Sequence, residues 1–453
     1  MRSTFITLLL GTVLLIGFNQ SCGTSSGTEL SQELQILSES SSEKTVRDEP
    51  ANAQPEASEE TTGSDASEPK TEQPGTTEQP SITEQPTDSS SSPCPRKPGA
   101  ADRTRRIVVS HPFGANRKKV GLYEVMTLSP DGQITRDKTT FNMGVSVFGN
   151  ILFTPDGLIG MVPQDGGTIG VFRFNKDGKV EVVHKEFKGK FYATKLVMGP
   201  QGRKVYVLNG NWRNNGGGVY VVNIGCDGTL TDEGLLFPAK LPLGMVFVPN
   251  DPSLTVLAAK DALTSQEGPN THLIRLSSPP KLFSSVDAFG DKDAVISAEG
   301  ITVDGKFALF GDNSAFTNNP NRVAIVAIQG EQLKKEKVVT PIKDPSGIVA
   351  SPYNNVVLLL SGEGNALYRL PYNPNSQPAF GTHSPIQYNG RRPQLPTAAQ
   401  LMLQGKLKDR VFIAENKGIR QVLFEKDGTI KDLGIFDTGE GFVNVVGTLG
   451  VQP

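Results

Sequence analysis

One unit recurs about every 50 residues from Arg106 to the end of the chain, a spacing that few folds other than a propeller produce. Six segments align: "ILFTPDGLIGMV", "LVMGPQGRKVYVL", "MVFVPNDPSLTVLA", "GITVDGKFALFG", "GIVASPYNNVVLLL" and "LMLQGKLKDRVFIA". Each is an apolar strand, a polar turn and a second apolar strand. A third strand follows after a gap: "TIGVFRF", "GVYVVNI", "HLIRLSS", "RVAIVAI", "NALYRL" and "GIRQVLF". Turns such as "NKDGKV", "GCDGTL" and "EKDGTI" often lead into a fourth. Short β-rich runs bounded by Gly, Asp-Gly and Pro-Asp-Gly, with no long stretch of helical period, make the body all-β. A four-stranded unit of this length is a propeller blade. One blade is split. The segment beginning "RIVVSHP" supplies three of its strands, and "GFVNVVGTLG" at the C-terminus is the missing innermost one. Joining them closes the ring and removes two exposed edges. The sequence therefore predicts a seven-bladed β-propeller over 105–450, with six or eight blades as the alternatives.

The segments "FTPDGLIGMV", "KVYVLN", "GVYVVNIGCDGTL" and "VLFEKDGTIKDLG" carry P-D-G, then Y-V-x-N, then a third strand ending in D-G-x-L. This resembles the lactonase-type seven-bladed propellers, the group holding the propeller form of 6-phosphogluconolactonase and its YVTN-repeat relatives. The resemblance covers most of the body and bears on fold more than on function, because these turns are structural. It implies hydrolysis of a sugar lactone in the central channel, with His, Arg and Glu polarising the carbonyl and guiding water. The matching candidates here are His111, Arg213 and Glu299. The entries to the innermost strands carry Lys195 and Glu299 but no His or Arg, a departure from the family. No G-x-S-x-G elbow and no Cys/His cluster occurs, so neither a serine nucleophile, a metal nor another cofactor is expected.

In a propeller the first-to-second and third-to-fourth turns share one face, here called the bottom. The second-to-third loops and the blade crossings share the other, the top. The Asp-Gly turns fall on the bottom, where tight hairpins need positive φ. The top-face loops differ from blade to blade: "HPFGANRKK", "QDGG", "NGNWRNNGG", "KDALTSQEGPNT", "DNSAFTNNPN", "SGEG" and "ENK". Variable polar loops on a rigid scaffold are where propellers bind. The single tryptophan, Trp212, sits in the third loop beside Arg213, a hot-spot composition; the alternative is a lid folded onto its own blade. The expected ligand contacts are Asn209, Trp212, Arg213, Lys260, Asp312 and Glu415. His111 is expected on a top-face loop. Arg117, Lys118, Lys119 and Lys260 make part of the rim basic, opposed by Asp261, Asp312, Glu363 and Glu415.

Upstream, the chain changes character. Residues 1–21 hold Arg2 and an apolar run from Phe5 to Phe18 too short to span a bilayer, which is an export signal. Cys22 after Ser21 resembles a bacterial lipoprotein site, with an ordinary secretory signal as the alternative. Gly23 and Thr24 lack the Asp that retains lipoproteins at the inner membrane, so the outer membrane is favoured. Residues 22–100 are rich in Ser, Thr, Glu, Gln and Pro, with "TEQP" three times. Such a segment buries too little apolar surface to fold and is expected to be a disordered acidic tether. Between residues 23 and 93 the basic residues are three, Lys44, Arg47 and Lys70, which leaves that stretch strongly acidic, so the net charge of −2 conceals a basic body. The basic residues there are scattered, without interleaved aromatics, and nucleic acid is not the expected partner. The chain has three cysteines. With Cys22 lipidated, Cys94 and Cys226 remain as a possible disulfide in an oxidising compartment; two free thiols are the alternative. Two functions fit: a lipid-anchored monomer that binds a protein or glycan on its top face, or a lactonase-like hydrolase.

Overall fold

The apolar hairpins form as their spacing predicts, and each blade adds two further strands. The computed structural model describes residues 97–453 except 114–117, 147–148, 211–216, 263–268, 291–293, 295, 313–320 and 439–446. Seven sheets are present among the described residues. We number the split blade 1, with strands Leu449–Val451, Arg105–Phe113, Lys119–Leu128 and Ile134–Asn142 from the centre outward. Blades 2 to 7 follow in chain order, at 152–187, 195–240, 244–286, 296–339, 345–385 and 398–437. All are antiparallel meanders.

Position in the blade dictates composition. The middle strands lie between neighbouring blades and bury both faces. Val356–Ser361 is buried at every residue, which is why it is an unbroken apolar run, "VVLLLS". The outer strand Leu230–Lys240 alternates buried and exposed positions, as a strand wet on one face does. The buried apolar residues fall into seven clusters, one for each junction between adjacent blades. Ile107, Met126 and Leu449 of blade 1 pack with Phe412 and Ile419 of blade 7. Val108 and Tyr123 pack with Val162 and Phe172 of blade 2. Blade 1 thus has a packed neighbour on both sides, and the ring is closed.

The closing strand pairs Val451, Gly450 and Leu449 with Ile107, Val108 and Val109. It is shorter and lies further toward the C-terminus than "GFVNVVGTLG", since it runs from Leu449 to Val451, and residues 441–446 fall outside those described. Side chains lock it. Ser110 Oγ accepts the Thr448 N–H at 2.9 Å, and Gln400 of blade 7 accepts the Val451 N–H at 2.8 Å while donating to its carbonyl at 2.6 Å. Arg103 Nη2 donates to the Pro453 carbonyl at 3.1 Å.

Two details depart from the sequence pattern. Asp261–Ala262, from the top-face loop of blade 4, adds a fifth strand to blade 3 by pairing with Ala239 and Lys240. The hairpin turns at Gly157, Gly178, Gly228 and Gly428 take positive φ on the bottom face as expected. Asp165-Gly166-Gly167 is an exception: it forms the top-face loop of blade 2, with Gly167 at φ 75°.

Candidate functional site

The innermost strands ring the central channel, and they enter from the top face. Lys195 opens the innermost strand of blade 3, Lys195–Met198, and Glu299 lies on that of blade 5, Ile296–Ile301. Their side chains meet: Lys195 Nζ donates to Glu299 Oε2. The pair passes in front of blade 4, where a Cβ added to Gly244 would stand 3.4 Å from Glu299 Oε2. The side chains retain 28 % and 14 % exposure, so the pair is wet on one side.

The other carboxylates proposed as ligand contacts do not line this opening. Asp312 is fully buried and bonded to Arg322 Nε at 2.8 Å. Glu415 is also fully buried; its Oε1 accepts Arg420 Nε at 3.0 Å and its Oε2 accepts the Gln394 N–H at 2.7 Å. Arg420 reaches Asp432 Oδ2 at 2.5 Å and the Arg391 carbonyl at 2.7 Å. Burial, the largest influence, raises the Glu415 carboxyl above its ordinary range, and Arg420 pulls the other way. These two acids hold loop ends in place.

His111 is not on a loop. It lies within Arg105–Phe113, opposite Leu122, and is 1 % exposed. The strand continues through it because blade 1 supplies a buried partner: His111 Nε2 and Glu124 Oε2 are 2.9 Å apart. Arg136 grips the same carboxylate, its Nη2 at 3.0 Å, and also reaches the Thr438 carbonyl past the end of blade 7. Burial opposes ionisation of Glu124, but the hydrogen bonds from His111 and Arg136 outweigh it and hold its carboxyl below the usual range. His111 is thereby committed within blade 1, while Glu299 is committed to Lys195 in the channel.

The remaining histidines are structural too. His272 spans Ser285 Oγ at 2.8 Å and the Ala259 carbonyl at 3.1 Å, His184 accepts the Leu230 N–H at 3.3 Å, and His383 packs edge-on to Tyr368. Asn209 ends the strand Lys204–Asn209 and is buried. Lys260 is partly buried beside a shallow apolar cleft formed with Leu241, Leu243 and Ile296. Trp212, Arg213 and Arg117 lie outside the described residues, as do Cys22 and Cys94. Cys226, in the exposed bottom turn of blade 3, is disulfide-bonded; its partner also lies outside the described residues.

Two top-face features go beyond the sequence reading. Asp344 and Glu363, at the entry and in the loop of blade 6, sit close together. Burial raises both carboxyls to about 6, and the charge of Asp344 adds to the effect on Glu363. The second is Tyr192, in the crossing from blade 2 to blade 3, which is 40 % exposed. Its ring lies on Gly167: a Cβ there would stand 2.3 Å from Cδ2. No pattern of spacing marks Tyr192; the only signal is the Gly-Gly pair in "QDGG".

No protein-family model matches this sequence, and no curated protein does. The fold has many solved counterparts. A 6-phosphogluconolactonase candidate from Bacteroides uniformis aligns with a TM-score of 0.55 at 12 % identity, over 77 % of this chain and 99 % of that one. The periplasmic gluconolactonase of Pseudomonas aeruginosa aligns with a TM-score of 0.53 at 14 % identity, over 77 % and 99 %. The shared fold is the seven-bladed β-propeller. A hypothetical selenium-binding protein from Sulfolobus tokodaii aligns with the same TM-score, 0.53, at 10 % identity, over 79 % and 94 %. The similarity therefore belongs to the architecture and passes across described functions.

Proposed function

We propose that this chain is an extracytoplasmic binding module, lipid-anchored through Cys22 and favouring the outer membrane, that takes a protein or glycan on the top face of its propeller. The observation that carries the reading is the commitment of the ionisable candidates. His111 is buried in a hydrogen bond to Glu124 within blade 1, and Asp312 and Glu415 are buried in ion pairs within blades 5 and 7. They are framework for the loops, and the loops differ from blade to blade. A disulfide between Cys94 and Cys226 would leave the tether at the bottom face and turn the top away from the membrane. Non-reducing peptide mapping that joins these two cysteines supports this orientation; a bond from Cys226 to Cys22 removes it.

Binding is tested with the purified full chain on immobilised cell-envelope material from a Gram-negative bacterium. Capture that falls at least about tenfold in Trp212→Ala or Lys260→Glu supports the top face as the binding surface. Capture unchanged in both variants rejects it.

Lactone hydrolysis is the second reading, favoured by one observation. Lys195 and Glu299 meet in the channel, and two of the proteins sharing the fold are described as lactonases. In that chemistry Glu299 would orient water and Lys195 would polarise the carbonyl. Turnover of gluconolactone or its 6-phosphate that is abolished in Glu299→Gln would put the hydrolase first.

A further inference from the structure

We propose that Tyr192, with the Lys119–Asp165 pair beside it, forms a carbohydrate subsite on the top face that takes a neutral pyranose ring. The inference rests on the binding reading above and gives it a ligand class.

The aromatic ring is built to be presented. Among the described residues Tyr192 is one of six large apolar side chains that remain open to solvent, at 40 % exposure. One ring face covers Gly167, where Cδ2, Cγ and Cε2 would lie 2.3 to 2.7 Å from an added Cβ. Its hydroxyl donates to the Asp165 carbonyl at 2.5 Å, and the next residue's N–H, from Ala193, donates to the Gly167 carbonyl at 2.8 Å. Ring and loop are tied at both ends, so the exposed face is held in one orientation. An aromatic fixed before its ligand arrives loses little entropy on binding. An unsupported surface tyrosine would not be preorganised in this way.

Polar groups stand where a sugar needs them. Lys119 Nζ donates to Asp165 Oδ2 at 2.9 Å, with 47 % and 34 % of the two side chains exposed. A pair this wet contributes little to stability. Its geometry suits vicinal hydroxyls, one donating to the carboxylate and one accepting from the ammonium. The two charges cancel locally, which favours a neutral sugar over a uronate or a sugar phosphate. A Cβ added to Gly166 would meet nothing within 4 Å, so the loop that carries Asp165 is open to solvent there. The C–H face of a pyranose stacking on the tyrosine, with its hydroxyls on the pair, uses every one of these features. Three residues along the chain Lys195 enters the channel, so a longer glycan would run from the rim inward.

The test uses ligand-observed saturation-transfer NMR on the full chain, with cellotriose, maltotriose, mannotriose and chitotriose as probes. At least one should bind with a dissociation constant of about 1 mM or tighter. Tyr192→Ala should weaken it at least about tenfold, and Tyr192→Phe, which keeps the ring, by no more than about threefold. Asp165→Asn should also weaken it, without lowering the melting temperature, which guards against misfolding as the cause. The subsite is overturned if no probe binds at about 10 mM. It is equally overturned if Tyr192→Ala binds as the parent does. Envelope capture that persists in Tyr192→Ala would remove the sugar subsite and leave the broader binding reading intact, whereas absence of envelope capture by the parent chain removes that reading itself.

Discussion

Arg420 and Lys195 each hold a carboxylate across two elements, yet they are solvated in opposite ways. Arg420 and Glu415 are wholly enclosed, and Arg420 also satisfies Asp432 and a backbone carbonyl. Lys195 and Glu299 face water from the wall of the channel. The same pairing chemistry therefore does two jobs. Buried, it fixes the end of a blade, and neither partner can leave without stranding the other. Partly open, it leaves both partners in contact with the water of the channel. The lesson is that solvent, and not residue type, separates framework charges from usable ones in this ring.

The largest effect should come from breaking the enclosed cluster. Arg420→Ala leaves two buried carboxylates without their cation and should cost about 3–5 kcal/mol in denaturant unfolding. A loss below about 1 kcal/mol would show that water reaches the cluster and would erase the contrast.

An intermediate effect is expected at Asp344 and Glu363. Both hold their protons to about pH 6 in the fold, against ordinary values of 3.8 and 4.5. Between pH 4 and 6 the folded chain therefore binds more protons than the unfolded one, and their contribution to stability is present at low pH and falls as pH rises through that window. Glu363→Gln removes the repulsion. It should leave stability at pH 4 unchanged and raise it at pH 7.5 by on the order of 1 kcal/mol, since solvent screens the partly exposed Glu363. An equal change at both pH values would assign the effect to packing.

The smallest effect should come from the channel. Glu299→Gln keeps the shape, and its cost should stay under about 1 kcal/mol because the pair is partly hydrated. Adding about 1 M salt should lower the stability of the parent more than that of the variant. If Glu299→Gln destabilises as much as Arg420→Ala, the channel pair is framework too, and the hydrolase reading drawn from it does not survive.

The fold was open to sequence reasoning because every blade repeats the same physics. The run "VVLLLS" is apolar throughout since neighbouring blades cover both its faces, and "NKDGKV" turns where a glycine at positive φ is needed. The site was harder because it depends on which strands face one another around the ring. Lys195 and Glu299 are 104 residues apart, and their contact depends on three blades standing in order. His111 was misplaced for a similar reason: "HPFGANRKK" looks like loop from end to end, and Glu124 and Arg136, which draw its first residues into the strand, lie further along. Tyr192 carries no spacing signal at all, since what seats it is a glycine 25 residues earlier, in the loop of blade 2.

Blade 1 imposes an order in time. Ser110, near the beginning of the folded body, waits for Thr448, 338 residues later, before its strand has an inner neighbour. Until then a nearly complete propeller carries an open edge able to recruit other strands. A ribosome releasing this chain from its N-terminus holds that edge open until residues 448–451 emerge. A variant without residues 449–453 would keep nearly every blade and lose its clasp, so the loss should appear first as aggregation rather than as a missing domain.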